Sequence, residues 1–426
     1  MAATPATIEH QLKVYKGLVE VSALINAITD SEELLPAILD VARRVMEVEA
    51  ATLFLVNPAG DLELAAASGG GAGVNHGAGP KIVVPRGRGI AGWVLDNKRT
   101  LLVADAYSDA RFFPDVDKKT GFRTRSILCV PLMRNDTEIG VLQVLNPIGR
   151  EAFDETDVES FEAYGTLAAT AIDKLRTIER QRRQDRVSQE LAFAREIQAS
   201  FLPQSLPQLT HIHFAANYRP ALNVGGDFYD VIEVGQDEVY FVIGDVSGKG
   251  MPAALLMAQA LSLLRFILQP GVSPEAALAR WNAMLNGRTI RGMFITALLG
   301  KITLSTRQVE FCSAGHCHPF LVSNGGIPTE LKIPGSPPLA LLPEMSTRSH
   351  QLTLGAHEWL VLYTDGLVES FNADDVPLDP EGVVRILGRE FATAGDVVDS
   401  LNTGELEHRG AAPPHDDLTL LVFGFQ

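Results

Sequence analysis

Three aspartates stand at matching places in the second half of this chain. Asp245 closes the apolar run VYFVIGD, Asp365 closes WLVLYTD, and Asp416 opens DDLTLLVF. Short apolar runs of this kind read as strands, so each carboxylate sits at a strand end. In an antiparallel sheet the end of one strand lies beside the start of its neighbour. The reading therefore places Asp245, Asp365 and Asp416 on one sheet edge, where Asp227 and Asp230, from GGDFYD at the start of a further strand, can join them. Carboxylates gathered in this way repel one another and lose hydration unless a cation neutralises them. One Asp-Gly at a strand end is an ordinary turn former; several, each tied to a buried-type strand, point to a site. Oxygen donors without clustered His or Cys select Mg²⁺ or Mn²⁺ over Zn²⁺.

The surrounding residues narrow the chemistry. GDVSGKG, residues 244–250, puts small residues where backbone must pass close to a ligand, directly ahead of a long apolar helix whose N-terminus favours an anion such as phosphate. It is not a P-loop, which needs four residues before Gly-Lys and then Ser or Thr. Lys249 in this segment reads as loop-exposed rather than catalytic. Arg219, eight residues ahead of Asp227, is a candidate for holding a substrate phosphate through both guanidinium nitrogens. Cys312, His316, Cys317 and His318 are crowded on one strand, cannot readily surround a zinc ion, and read as structural. No cysteine opens a Cys-x5-Arg loop, because the sixth residue after Cys129, Cys312 and Cys317 is Asn135, His318 and Ser323, so a thiol phosphatase is excluded.

The elements that must position these residues fall into two folded parts, as 426 residues would suggest. Helical patterns at 14–28 and 34–48 lead into a hairpin, ATLFLVN and DLELAAAS, then a glycine-rich loop, SGGGAGVNHGAG. A helix near Gly89 and the strands SILCVPL and IGVLQVLN complete an α+β domain with a mostly antiparallel sheet. A helix from Glu155 to Phe201 then carries Val187, Leu191, Ala194, Gln198 and Phe201 at 4-3-4-3 spacing, which reads as the seam of a short coiled coil and hence a homodimer, or else as the narrow core-facing stripe of one solvated helix. Pro203 and Pro207 end it, and strands with two apolar helices, PAALLMAQALSLLRFIL and PEAALARWNAML, follow. The net charge of −16 repels nucleic acid and anionic membrane surfaces. With three cysteines and no apolar run of membrane-spanning length or signal-peptide layout, the expected location is cytoplasmic.

In order and spacing, GGDFYD, GDVSGKGMPAAL, SAGHCHPFLV, YTDGLVES and DDLTLLV resemble the bacterial PPM-type (metal-dependent, type 2C) serine/threonine phosphatases of the SpoIIE and RsbU group. The resemblance implies a β-sandwich flanked by helices over residues 207–426, with two Mn²⁺ or Mg²⁺ ions. By position it makes Asp227, Asp245, Asp365, Asp416 and the carbonyl of Val246 metal ligands, with Asp230 and Asp417 behind them. A water activated between the ions would attack phosphorus in line, with no protein nucleophile. The usual substrate of that group is a phosphorylated anti-anti-sigma (STAS-type) protein, which would be supplied in trans.

RGRGIAGWVLDNKRTLLVADAYSDARF, VLQVLN and FDETDVESFEAYGTLAATAI make residues 1–175 similar to a GAF sensor domain. Residues 176–206 are then a helical linker whose AREIQASFLP resembles the group's regulatory helix. A GAF domain can take a small ligand. In the cyclic-nucleotide type an Asn-Lys pair precedes a Phe and an Asp-Glu, whereas here Pro147 follows Asn146 and Val158 follows Asp157. Two other readings stay open: a cyclic-dinucleotide cyclase, suggested by GGDF, and a non-catalytic module with a phosphatase fold.

Overall fold

The computed structural model describes residues 30–69, 82–114, 117, 121–289, 292–323 and 325–425, with 16, 17, 19, 20, 23 and 28 ahead of them. The glycine-rich loop and most of the first helical pattern lie outside the described residues. The chain divides into two units, Met1–Arg186 and Val187–Gln426.

In the first unit α1 (Ser31–Met46) starts on Asp30, whose side chain accepts from the Glu32 N–H, and stops at Glu47 with φ of 49°. That left-handed residue turns the chain straight into β1 (Val48–Val56). β2 (Leu62–Gly69), β3 (Val83–Val84), α2 (Gly89–Asn97), β4 (Leu101–Val103), β5 (Ile127–Arg134), β6 (Thr137–Pro147) and α3 (Glu155–Ala199) follow. The antiparallel sheet runs β3-β2-β1-β6-β5-β4. One face packs Leu53, Val130 and Leu142 against Ile38 of α1 and Phe161 and Tyr164 of α3. The Tyr164 hydroxyl donates to the Ile38 carbonyl at 2.5 Å, so this aromatic buries its ring without stranding its polar end. On the other face Ile90 and Val94 of α2 cover Cys129 and Val141, and burial alone pushes the Cys129 thiol up, as a core cysteine's should be.

In the second unit β7 (Ile212–Arg219), β8 (Phe228–Val234), β9 (Glu238–Val246), α4 (Met251–Ile267), α5 (Pro274–Leu285), β10 (Ile295–Thr303), β11 (Gln308–Ala314), β12 (Phe320–Ser323), β13 (Thr329–Glu330), β14 (His350–Thr353), β15 (Glu358–Tyr363), α6 (Asp365–Val368), α7 (Asp379–Leu387), α8 (Ala394–Arg409) and β16 (Leu418–Phe425) form two five-stranded sheets. Their orders are β14-β11-β10-β9-β8 and β13-β12-β15-β16-β7. Phe241, Ile243, Leu298, Leu360, Leu421 and Phe423 fill the space between them. Helices α4 and α5 cover the outside of the first sheet and α7 and α8 that of the second. The result is an α+β chain whose second unit is a sandwich flanked by helices.

Two expectations are corrected. The acidic residues do not share a sheet edge: Asp227 and Asp245 belong to the β8–β9 pair and Asp365 and Asp416 to the β15–β16 pair, in different sheets. Strand-end position fixes which end of a strand a residue occupies, but not which sheet the strand joins. The proposed seam is also split in use. Val187 is exposed, but Gln198 is buried and Phe201 packs on the core of its own unit. The last turn of α3 is thus spent on intramolecular packing. Among the described residues no helix is long and apolar enough to cross a membrane, α3 with its 45 residues included.

Candidate active site

Each pair of antiparallel strands presents one aspartate-bearing end. Phe228 pairs with Gly244, which sets Asp227 beside Asp245 at one end of β8–β9. Tyr363 pairs with Leu420, and the Thr364 N–H donates to the Thr419 carbonyl, which sets Asp365 beside Asp416 and Asp417 at one end of β15–β16. Face-to-face packing of the sheets brings the two ends together. The joint is visible in hydrogen bonds: the hydroxyls of Thr364 and Thr419, both from the second sheet, donate to Oδ2 of Asp227 at 2.6 and 2.7 Å. Asp227 is 1 % exposed, so these two donors replace the water that a carboxylate would otherwise require.

Close approach of backbone completes the cradle. At Gly226 a Cβ would lie 2.7 Å from the Val246 carbonyl and 3.2 Å from Oδ1 of Asp245. At Gly366 it would run into the Asp417 carbonyl. Asp417 accepts from the Ala221 N–H at 2.8 Å and the Gly226 N–H at 2.6 Å, so it holds the loop that carries Asp227.

The electrostatics follow from this crowding. Burial, then the charge of Asp245, holds Asp227 well above the usual carboxylate range, against the two threonine bonds. Burial, then Asp365 and Asp416, pushes Asp245 up to about 7, and burial, then Glu369 and Asp416, pushes Asp365 up to about 6. Asp417 is also raised, by burial first. A cation bound at such a point would displace protons from these carboxyls and be held by the carboxylates. One positive charge is already there: Lys249 Nζ lies 2.9 Å from Oδ2 of Asp416 and donates to the His415 carbonyl at 2.7 Å. Its stem is half-exposed, as a loop residue's should be, but the ammonium belongs to the acidic centre and restrains the rise at Asp365.

Other candidates are placed elsewhere. Asp230 is buried and accepts from Arg265 Nε of α4 at 2.7 Å, tying helix to sheet. Arg219 is ion-paired with the buried Glu405 of α8, which also accepts from Ser370 and Arg409 at 2.8 Å. The guanidinium is thereby committed to α8. Arg219→Ala should destabilise the domain by about 2 kcal/mol, since Arg409 remains to neutralise Glu405, and should leave KM for a phosphoprotein unchanged. A raised KM at unchanged melting temperature would return Arg219 to the phosphate. His316 is pushed down to about 4 by burial, hence neutral, with Nδ1 3.0 Å from Thr296 Oγ1. Burial, then Asp365, pushes the Cys317 thiol up to about 12, and burial pushes Cys312 to about the same value. Among the described residues, no group of three or more His, Cys, Asp or Glu side chains is drawn tightly enough to enclose a metal ion.

Sequence reasoning missed Thr364 and Thr419. Each lies within three residues of an aspartate already singled out, Asp365 and Asp416, but threonine in a strand is ordinary and carried no signal of its own.

In the first unit a cavity of about 350 Å³ opens between the sheet and α2, lined by Phe54, Arg88, Phe112, Phe122 and Gln143 among others. Asn146 does not line it: buried, it accepts from the Arg125 and Ser126 N–H groups and donates to Glu49 and the Arg123 carbonyl. Asp157, also buried, takes two bonds from Arg150 at 3.0 and 2.9 Å.

Comparison with known proteins matches residues 235–426 to the family model of stage II sporulation protein E (SpoIIE) and residues 28–173 to that of the GAF domain. The chain joins a GAF domain to a SpoIIE-type phosphatase domain. The SpoIIE match begins after Asp227 and Asp230 and covers neither, and of the two only Asp227 stands beside Asp245. Protein IcfG of Synechocystis sp. is 27% identical over 278 residues, 59% of this chain and 44% of that protein. The GAF part is 39% identical over 108 residues to a cGMP-specific 3',5'-cyclic phosphodiesterase of Drosophila melanogaster, 25% of this chain and 10% of that protein. The chain thus spans less than half the length of these curated relatives. Among solved structures the SiaA-PP2C domain of Pseudomonas aeruginosa superposes with a TM-score of 0.51 at 22% identity, covering 57% of this chain and 98% of that one, a likeness of fold.

Proposed function

We propose that this chain is a metal-dependent protein serine/threonine phosphatase controlled by its GAF domain. The observation that carries the reading is the convergence of Asp227, Asp245, Asp365 and Asp416 from two sheets, joined by the threonine bonds to Asp227. The donor set, all carboxylate and carbonyl oxygen, is of the type that hard divalent cations take, and Lys249 competes with such an ion for Asp416. These four carboxylates and the Val246 carbonyl would hold two Mn²⁺ or Mg²⁺ ions, as befits a PPM-family domain. When bound, such ions supply the positive charge that activates water and stabilises phosphoryl oxygens.

The chain's own residues do the rest. Thr364 and Thr419 fix the orientation of Asp227, and Asp417 fixes the loop that bears it. Lys249 holds Asp416 in place from the glycine-flanked segment. The substrate proposed is a phosphorylated STAS-type protein, presented in trans. A homodimer through the exposed part of α3, where Val187, Phe193 and Ile197 face solvent, and a small, largely apolar ligand in the GAF cavity complete the reading. Thr52 Oγ1, buried there without a hydrogen-bond partner, offers that ligand one polar contact.

Purified protein given a phosphoserine protein and Mn²⁺ should release phosphate, and chelation should stop it. Given GTP and Mg²⁺, it should make no cyclic dinucleotide. Formation of that product would install the cyclase reading instead, and no release from any phosphoprotein would favour a non-catalytic module.

A further inference from the structure

Gln198 ends the run of α3 residues that were expected to face a second chain, yet it is 6 % exposed and its amide is bonded through both its nitrogen and its oxygen. Its Nε2 donates to the Gly225 carbonyl at 2.5 Å, and its Oε1 accepts from the Gly225 N–H at 3.2 Å. Both polar groups of one residue are gripped by one side chain, which fixes that residue's position and its rotation. The next residue, Gly226, donates to Asp417 and packs against the Val246 carbonyl and Asp245, and the one after it is Asp227. A second anchor stands one turn further on: Arg265 of α4 donates to the Phe201 carbonyl at 2.8 Å and to Asp230 at 2.7 Å. The end of α3 is therefore fastened to the loop ahead of β8 on one side and to α4 on the other.

We propose that Gln198 is a positioning residue for the acidic centre: its clamp on Gly225 sets the placement of Asp227 against Asp245 and the Val246 carbonyl, so that metal affinity depends on where the last turn of α3 sits. The proposal rests on the phosphatase reading and names the residue through which the linker helix acts. Gln198 touches neither substrate nor the ligating oxygens. It acts through one peptide and a glycine at which an added Cβ would lie 2.7 Å from the Val246 carbonyl. Ligands must lie within a few tenths of an ångström of their working positions, so a shift of that peptide by half an ångström is enough to weaken binding.

The test uses the full chain with Gln198→Met, which keeps the volume and removes both hydrogen bonds, and Gln198→Ala. Mn²⁺ binding is read from the free-ion paramagnetic resonance signal, thermal melting is measured without metal, and phosphoserine hydrolysis is followed across Mn²⁺ concentration. Both variants should fold, bind Mn²⁺ at least about tenfold more weakly, and recover most of their kcat at saturating Mn²⁺ with KM for the phosphoprotein unchanged. Wild-type Mn²⁺ affinity in both variants would overturn the proposal. Failure of both to fold would overturn it too, by making Gln198 a residue of stability rather than of position. A wild-type protein that binds Mn²⁺ but releases no phosphate would refute the phosphatase reading and leave the clamp to be judged on Mn²⁺ binding alone.

Discussion

Asp245→Asn is expected to lower kcat/KM for a phosphoserine protein by about a thousandfold or more while raising the melting temperature of the metal-free protein near pH 8. The two effects share one cause. Burial, followed by the charges of Asp365 and Asp416, makes the ionised Asp245 unfavourable in the fold and pushes it up to about 7. On the proposed reading the side chain is kept at the expense of stability for what it does with a cation. Asparagine keeps the shape, relieves the repulsion and lacks the charge. Its amide can still accept one hydrogen bond, so the Phe228–Gly244 pairing beside it should survive. Turnover within tenfold of wild type, or a melting temperature that falls, would remove Asp245 from the centre.

A second large effect should appear when the metal-free protein is melted across pH. Asp245 and Asp365 both have folded values above their unfolded one, so the folded state holds more protons than the unfolded chain. The stability they contribute is fully present below about pH 4. It is lost as pH rises through about 6 for Asp365 and about 7 for Asp245. The loss should be on the order of a few kcal/mol. Other groups titrate over the same range, so the quantity to measure is wild type minus Asp245→Asn, which should decline from pH 4 to 7.5 and then level. Saturating Mn²⁺ should reverse it, with a larger gain in melting temperature at pH 8 than at pH 5, because at low pH the ion must first expel protons. A Mn²⁺ gain independent of pH would mean that these carboxyls are not where the ion binds.

Much of this was legible in the sequence. Strand-end aspartates could be read because an apolar run has a visible end, and β16 is the run LTLLVFGF residue for residue. Helices α4 and α5 were legible for a similar reason: their apolar stripes are broad and each carries a proline at its start. What was hidden is what depends on packing between elements. No pattern tells which of two sheets a strand enters, and so the centre was drawn on one edge when it spans two. Arg219 was judged by its distance along the chain from Asp227, but side chains of adjacent strand residues point to opposite faces, and its own face is the one α8 covers. Gln198 fitted a heptad, and a heptad says which residues share a face without saying what covers that face.

The order of strands in the second sheet has a consequence for the making of the protein. β16 lies between β15 and β7, so the first strand of the domain to leave the ribosome has no partner in that sheet until the last has followed. The threonine bond to Asp227 joins positions 192 residues apart. A nascent domain therefore carries β7 as an open edge throughout its synthesis, a stretch in which chaperone binding or misassembly competes with folding. It also means that the strand pair whose end carries Asp365 and Asp416 does not exist before residues 418–425 are in place. A premature stop anywhere ahead of β16 should yield aggregated chain rather than a weakened phosphatase.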